Sequence, residues 1–221
     1  VDVFSIPTAA FTGQDLCEGG TVDFTNTSSI GTGTISSQYW EFGNGGTSVA
    51  FEPSETYLTE GVYNVYLEVT SDEGCIAFTN ETVEIYPIPT AQFITADVCD
   101  GTQVSFTDFS NVSNSNTPNS IVTWDWDFGT IPVAGTQGQF ASHLYTDPGT
   151  YTVTLDVTTN NSCTDSYQYD VVVHPNPEVS FESPNPDGCT EWCPIFTNTS
   201  TISTGLNNSY LWNLGDGMVS T

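Results

Sequence analysis

Residues 149–157 read Gly149-Thr150-Tyr151-Thr152-Val153-Thr154-Leu155-Asp156-Val157, and residues 61–69 read Gly61-Val62-Tyr63-Asn64-Val65-Tyr66-Leu67-Glu68-Val69. From each tyrosine onward, every second residue is apolar and β-branched, aromatic or leucine. An extended chain points successive side chains to opposite faces, so this period of two describes a strand with one buried face. Working outward, the same landmarks recur in the same order. Trp40-Glu41-Phe42-Gly43 precedes the first stretch and Trp126-Asp127-Phe128-Gly129 precedes the second. Trp212-Asn213-Leu214-Gly215 follows near the end, and the tryptophans of successive boxes are offset by 86 positions. Tyr57 and Tyr145 each stand 18 residues before a cysteine, Cys75 and Cys163. Cys17, Cys99 and Cys189 each stand seven residues before a phenylalanine, at Phe24, Phe106 and Phe196.

This is an internal repeat. No helical period appears, and roughly seven short strands per 80–90 residues predict an all-β chain of tandem immunoglobulin-like β-sandwiches. The expected units are residues 7–89, residues 90–177 and an incomplete third unit, 178–221. Residues 1–6 read as the last strand of a preceding repeat, which makes the chain an excerpt of a longer array. Trp40, Trp126 and Trp212 are expected in the cores, and Tyr63 and Tyr151 at tyrosine corners. Pro87 and Pro89, then Pro175 and Pro177, mark short stiff linkers.

The charge is one-sided. The chain carries 27 carboxylates and no Lys or Arg, for a net charge of −27, yet only 12% of it is charged. A typical domain is about a quarter charged with both signs present, so the bases are missing and acid is not enriched. A chain without bases cannot neutralise phosphates, which excludes nucleic-acid binding. Anionic membrane surfaces repel it, and no apolar run approaches the ~20 residues needed to span a bilayer. It has no Lys for a Schiff base or a phosphate loop. Trypsin-like proteases have no site to cut. A composition 37% hydrophobic and 13% aromatic is nonetheless rich enough for packed cores.

The Trp126-Asp127-Phe128-Gly129 and Trp212-Asn213-Leu214-Gly215-Asp216-Gly217 boxes, His143-Leu144-Tyr145 and residues 149–157 together resemble the PKD domain, a sandwich module. The likeness covers nearly the whole chain. It departs at Asn44-Gly45, which replaces Asp-Gly, and at Thr130-Ile131-Pro132, which interrupts the second box. The cysteine-bearing version is similar to tandem modules of large secreted surface adhesins of Bacteroidota, including gliding adhesins exported by type IX secretion. That resemblance implies a non-catalytic, extracellular segment of a surface filament or stalk, whose partners are neighbouring repeats. PKD modules elsewhere flank secreted hydrolases, so an accessory module binding glycan or protein is an alternative. Assembly of a filament by strand complementation is another.

Six cysteines point to an oxidising compartment. Pairing Cys17 with Cys75, or Cys99 with Cys163, would join opposite poles of one sandwich. A strand of about seven residues spans over ~20 Å, and a disulfide needs Cα atoms within ~7 Å. In a head-to-tail array those poles meet between neighbours, so the favoured pair is Cys17–Cys163. Cys75 and Cys99 would then pair with other modules, and Cys189 and Cys193 locally or with neighbours. Intradomain bonds and free thiols remain alternatives. Asp97, Asp100, Asp125, Asp127 and Asp147 fall in expected turns and are candidate Ca2+ ligands, or simply solvated turn formers. Tyr39, Tyr66, Trp124, Tyr167 and Trp192 could stack on a sugar, or pack across strands. Two isolated histidines, His143 and His174, give no catalytic constellation, and no enzyme activity is expected.

Overall fold

The computed structural model describes residues 4–113, 118–130, 138–183, 195–215 and 219–220. All its regular elements among these residues are strands. In the first sandwich they are β1 (Phe11–Thr12), β2 (Leu16–Cys17), β3 (Thr21–Asp23), β4 (Thr25–Asn26), β5 (Ile35–Glu41), β6 (Thr47–Ser48), β7 (Ser54–Thr56), β8 (Gly61–Ser71) and β9 (Ile76–Tyr86). In the second they are β10 (Phe93–Ile94), β11 (Val98–Cys99), β12 (Gln103–Asp108), β13 (Ile121–Asp127), β14 (Phe140–Leu144), β15 (Gly149–Thr159) and β16 (Thr164–His174). After these come β17 (Phe181–Glu182), β18 (Thr197–Asn198), β19 (Trp212–Asn213) and β20 (Val219–Ser220). Residues 4–6 form no strand, and residues 1–3 lie outside the described residues.

The first sandwich sets a five-stranded sheet, in the order β2-β9-β8-β5-β6, against the short pairs β1-β4 and β3-β7. The long alternating strands make the central hairpin, β8 with β9, in continuous antiparallel register from Gly61↔Ile85 to Thr70↔Ile76. Val65, Leu67 and Val69 point inward and are fully buried, as alternation requires. In the core they join Trp40 and Phe42, from the neighbouring strand β5 and the turn after it, and Phe24 from the opposite face. The rings interlock: Phe11 stands edge-on to Trp40 at 5.1 Å, and Phe24 stacks on Phe42 at 5.3 Å. Trp40 uses its one polar atom without loss, since Nε1 donates to the Ala50 carbonyl at 3.0 Å.

The second sandwich repeats this plan with a four-stranded sheet, β11-β16-β15-β13, and a three-stranded sheet, β10-β12-β14. Val153, Leu155 and Val157 take the inward places on β15. Phe93, Phe106 and Trp126 repeat the ring cluster, with Phe93 edge-on to Trp126 at 5.1 Å. Trp126 Nε1 donates to the Gly138 carbonyl at 3.1 Å. A third cluster, Phe181, Phe196 and Trp212, holds the same relationship with centroids 5.6–5.9 Å apart. Trp212 is only half-buried there.

Two tyrosines in each sandwich tie loops to strands. Tyr63 Oη donates to the Thr59 carbonyl and Tyr151 Oη to the Asp147 carbonyl, both at 2.9 Å and four residues upstream. Tyr57 and Tyr145 lie deeper, and their hydroxyls donate to the carbonyls of Phe42 and Phe128 at 3.0 Å.

Candidate functional site

The four cysteines among the described residues occupy two recurrent positions, one on a short strand and one in a hairpin turn. The strand position is Cys17 on β2. This two-residue strand lies parallel to the edge of β9, in the register Leu16↔Ile85 and Cys17↔Tyr86. Asp15 holds it there by accepting the Glu84 amide at 2.8 Å. Behind it, the Glu18 amide donates to the Tyr86 carbonyl, Gly19 to Tyr57 and Gly20 to Cys17. Cys99 on β11 repeats the position, in the register Val98↔Val173 and Cys99↔His174. Asp97 accepts the Val172 amide at 2.9 Å, and the amides of Asp100, Gly101 and Thr102 donate to His174, Tyr145 and Cys99.

The turn position is Cys75, between β8 and β9. The Ser71 amide donates to the Cys75 carbonyl at 2.9 Å, the Gly74 amide to Ser71, and the Cys75 amide to Ser71 Oγ at 3.0 Å. Cys163 repeats it between β15 and β16. Thr159 N donates to the Cys163 carbonyl at 2.9 Å, Ser162 to Thr159, and Cys163 N to Thr159 Oγ1 at 3.1 Å. Even the left-handed backbone is shared, since Gly74 and Ser162 both take positive φ, 83° and 64°.

Cys17 and Cys163 form a disulfide, with their Cα atoms 5.8 Å apart and a sequence separation of 146. Cys163 is buried, and its hairpin tip, Leu155–Tyr167, belongs to the compact unit of Val1–Gln92. The register excludes the alternative Cys17–Cys75. Cys17 lies opposite Tyr86 at one end of β9, and Cys75 directly precedes Ile76 at the other. Ten strand residues separate those ends by roughly 33 Å. Cys99 and Cys163 stand at the two ends of β16 in the same way. Cys75 is a half-buried free thiol and Cys99 an exposed one. Cys189, Cys193 and Trp192 lie outside the described residues.

The candidate calcium ligands are not drawn together. Asp97 is engaged with β16, and Asp127 Oδ1 accepts the Gly129 amide at 2.9 Å in a local turn. Asp147 Oδ2 accepts the Thr146 hydroxyl, and Asp100 offers its carbonyl to Asn176. Asp125 is exposed on β13. Among the described residues, no three His, Cys, Asp or Glu side chains are grouped to hold a metal ion. Of the aromatic candidates, Tyr66 stacks on Phe78 at 5.7 Å and donates to Glu68, and Tyr39 donates to Glu41. Trp124 and Tyr167 are half-buried. His143 is sandwiched by Phe128 at 4.7 Å and Tyr145 at 4.6 Å, and burial lowers its pKa. It is a packing residue. A cavity of about 390 Å³ opens beside Phe181, Tyr210, Leu211 and Trp212.

Residues 5–85 and 86–173 each match the family model described as PKD domain. The chain belongs to the PKD-domain family. A 68-residue stretch is 41% identical to the pre-pro-metalloprotease PrtV of Vibrio cholerae, covering 31% of this chain and 7% of that protein. A 53-residue stretch is 45% identical to the microbial collagenase of Vibrio alginolyticus, covering 24% of this chain and 6% of that protein. The chain therefore spans under a tenth of the length of these relatives. The crystal structure of the first PKD domain of PrtV matches at 39% identity over 36% of this chain and 96% of that one, with a TM-score of 0.34. The sequence pattern did not mark Asp15 at all, and marked Asp97 only as a candidate Ca2+ ligand, whereas the two aspartates hold the cysteine-bearing strands. Their spacing from the cysteines, two residues in each case, is a signal of sorts, but two examples with no period look like ordinary turn residues.

Proposed function

We propose that this chain is a non-catalytic spacer of an extracellular repeat protein, whose consecutive PKD domains are locked to one another by disulfides so that the array resists extension. The carrying observation is the Cys17–Cys163 bond, which ties a residue of the first matched domain to one of the second. A pull on the chain would pass through this bond and bypass the residues between. An oxidising location accords with such a bond. We take the units as residues 7–89, 90–177 and an incomplete third over 178–221, the last on the strength of its Phe181–Phe196–Trp212 cluster. The repeated cysteines favour a surface adhesin or filament of the kind Bacteroidota export by type IX secretion. A second reading, an accessory module of a secreted hydrolase, is favoured by the metalloprotease and collagenase relatives.

Single-molecule stretching from the two termini tests the mechanical reading. With a sequence separation of 146 across the bond, and at most about 3.6 Å per extended residue, the oxidised chain should hide roughly 500 Å of contour length. A reductant should release it. Equal extension before and after reduction would defeat the proposal.

A further inference from the structure

Resting on that reading, the structure assigns Cys75 and Cys99 a role as the open ends of a disulfide relay. A strand cysteine of one PKD domain bonds the turn cysteine of another, and the partner each thiol awaits is a further PKD domain carrying the complementary cysteine. Two independent observations support this. One strand cysteine and one turn cysteine of this chain, Cys17 and Cys163, are already bonded. Cys99 and Cys75 reproduce their surroundings bond for bond. Cys99 shares with Cys17 the parallel register, the aspartate two residues earlier and the three amides that follow. Cys75 shares with Cys163 the turn, the hydroxyl that takes its amide and the positive-φ residue before it. A position built alike and already shown to accept a disulfide is prepared for the same bond.

The rule is directional. Strand bonds turn, so strand–strand and turn–turn pairs are excluded, and contact between unlike ends is head-to-tail, which propagates as an open chain unless the rotation closes a ring. Each added domain would leave one strand and one turn cysteine open. The loops would overlap, so every sandwich in a long array would be bypassed by at least one bond. Chemically, the Cys99 thiolate attacks a small-molecule disulfide such as oxidised glutathione and expels one thiol. The Cys75 thiolate of the partner domain then displaces the second. Two protein thiols lose two electrons and two protons, and one disulfide oxidant becomes two thiols. Cys99 is exposed and Cys75 half-buried, so both can be reached.

The test uses the full chain carrying Cys189→Ser and Cys193→Ser, oxidised in a glutathione buffer. The expected result is a ladder of covalent oligomers on a non-reducing gel, with peptide mapping finding Cys75 joined to Cys99. Cys75→Ser alone and Cys99→Ser alone should each abolish the ladder, and mixing the two should give dimers and stop there. Comparable amounts of 75–75 and 99–99 bonds would overturn the relay, as would a ladder that survives either substitution. So would two thiols that end only as glutathione adducts. The same maps report Cys17–Cys163, so loss of that bond speaks against the spacer, and its retention without a ladder speaks against the relay alone. Mapping the protein from its own cells separates the sources. Cys75 and Cys99 bonded to cysteines at other positions of one polypeptide place the partner in cis, and bonded to each other place it on a second copy. Free thiols there would overturn the inference.

Discussion

The hydroxyl of Tyr145 is a polar atom inside the second core. It is buried with the ring and donates to the Phe128 carbonyl at 3.0 Å, at the glycine-bearing turn that follows Trp126. Burial, then the neighbouring Tyr151 and Asp127, push its pKa up to about 12. Tyr57 does the same for Phe42, and burial raises its pKa as well. Tyr145→Phe leaves a buried carbonyl short of a donor, which costs about 1–3 kcal/mol. Urea unfolding at pH 8 measures it. The folded state holds the phenolic proton more tightly than the unfolded state does. The stability from this hydroxyl is therefore intact below pH 10 and decays as pH rises from 10 towards 12. The deficit of Tyr145→Phe should accordingly shrink between pH 8 and pH 11, and a constant deficit would show that the proton is not held by the fold.

At the scale of elements, the turn between β5 and β6 shows which glycines the repeat demands. Gly43 has φ 77°, and a Cβ there would stand 2.8 Å from the Asn64 carbonyl oxygen. Gly129, its counterpart, has φ 71° and would meet the Thr152 oxygen at 2.6 Å. Gly45, two residues on, has φ 95° but open space around it. Gly45→Ala should thus cost only the left-handed backbone, about 1–2 kcal/mol, while Gly43→Ala adds a backbone overlap and should cost more. Thermal unfolding of the two variants decides it, and equal losses would remove the overlap. The long strands β8 and β15 were legible in sequence because eleven residues carry several turns of a period of two. The ring clusters followed from the repeat of Trp and Phe. β2 and β11 were not legible, since two residues cannot display a period and parallel pairing to a distant edge strand leaves no local mark. Asp15 and Asp97, which accept the edge amides of β9 and β16, were hidden for the same reason. Asp97 read as a metal candidate from its charge and its place in an expected turn, and only the register of β11 against β16 displays its occupation with a backbone amide.

Across the whole molecule, 27 carboxylates face no Lys or Arg. In most proteins added salt weakens attractive pairs and repulsions together, and the effects partly cancel. Here the attractive side is nearly empty, so the compact state carries mainly self-repulsion. Screening should be stabilising: the Debye length falls from about 30 Å at 0.01 M to about 8 Å at 0.15 M salt. The melting temperature should therefore climb steeply over that low range of NaCl, before non-specific salt effects enter. The same titration separates diffuse from specific cation binding. CaCl2 and MgCl2 at matched ionic strength should raise the melting temperature more than NaCl, by equal amounts, because a cloud of divalent counter-ions distinguishes charge and not coordination. Ca2+ prefers six to eight oxygen ligands in a flexible shell, and Mg2+ demands a tight octahedron. A rise particular to Ca2+ would therefore mean that carboxylates spread over separate turns had been gathered into a site, which the scattered positions of Asp97, Asp100, Asp125, Asp127 and Asp147 oppose. A melting temperature indifferent to low salt would overturn the repulsion account itself.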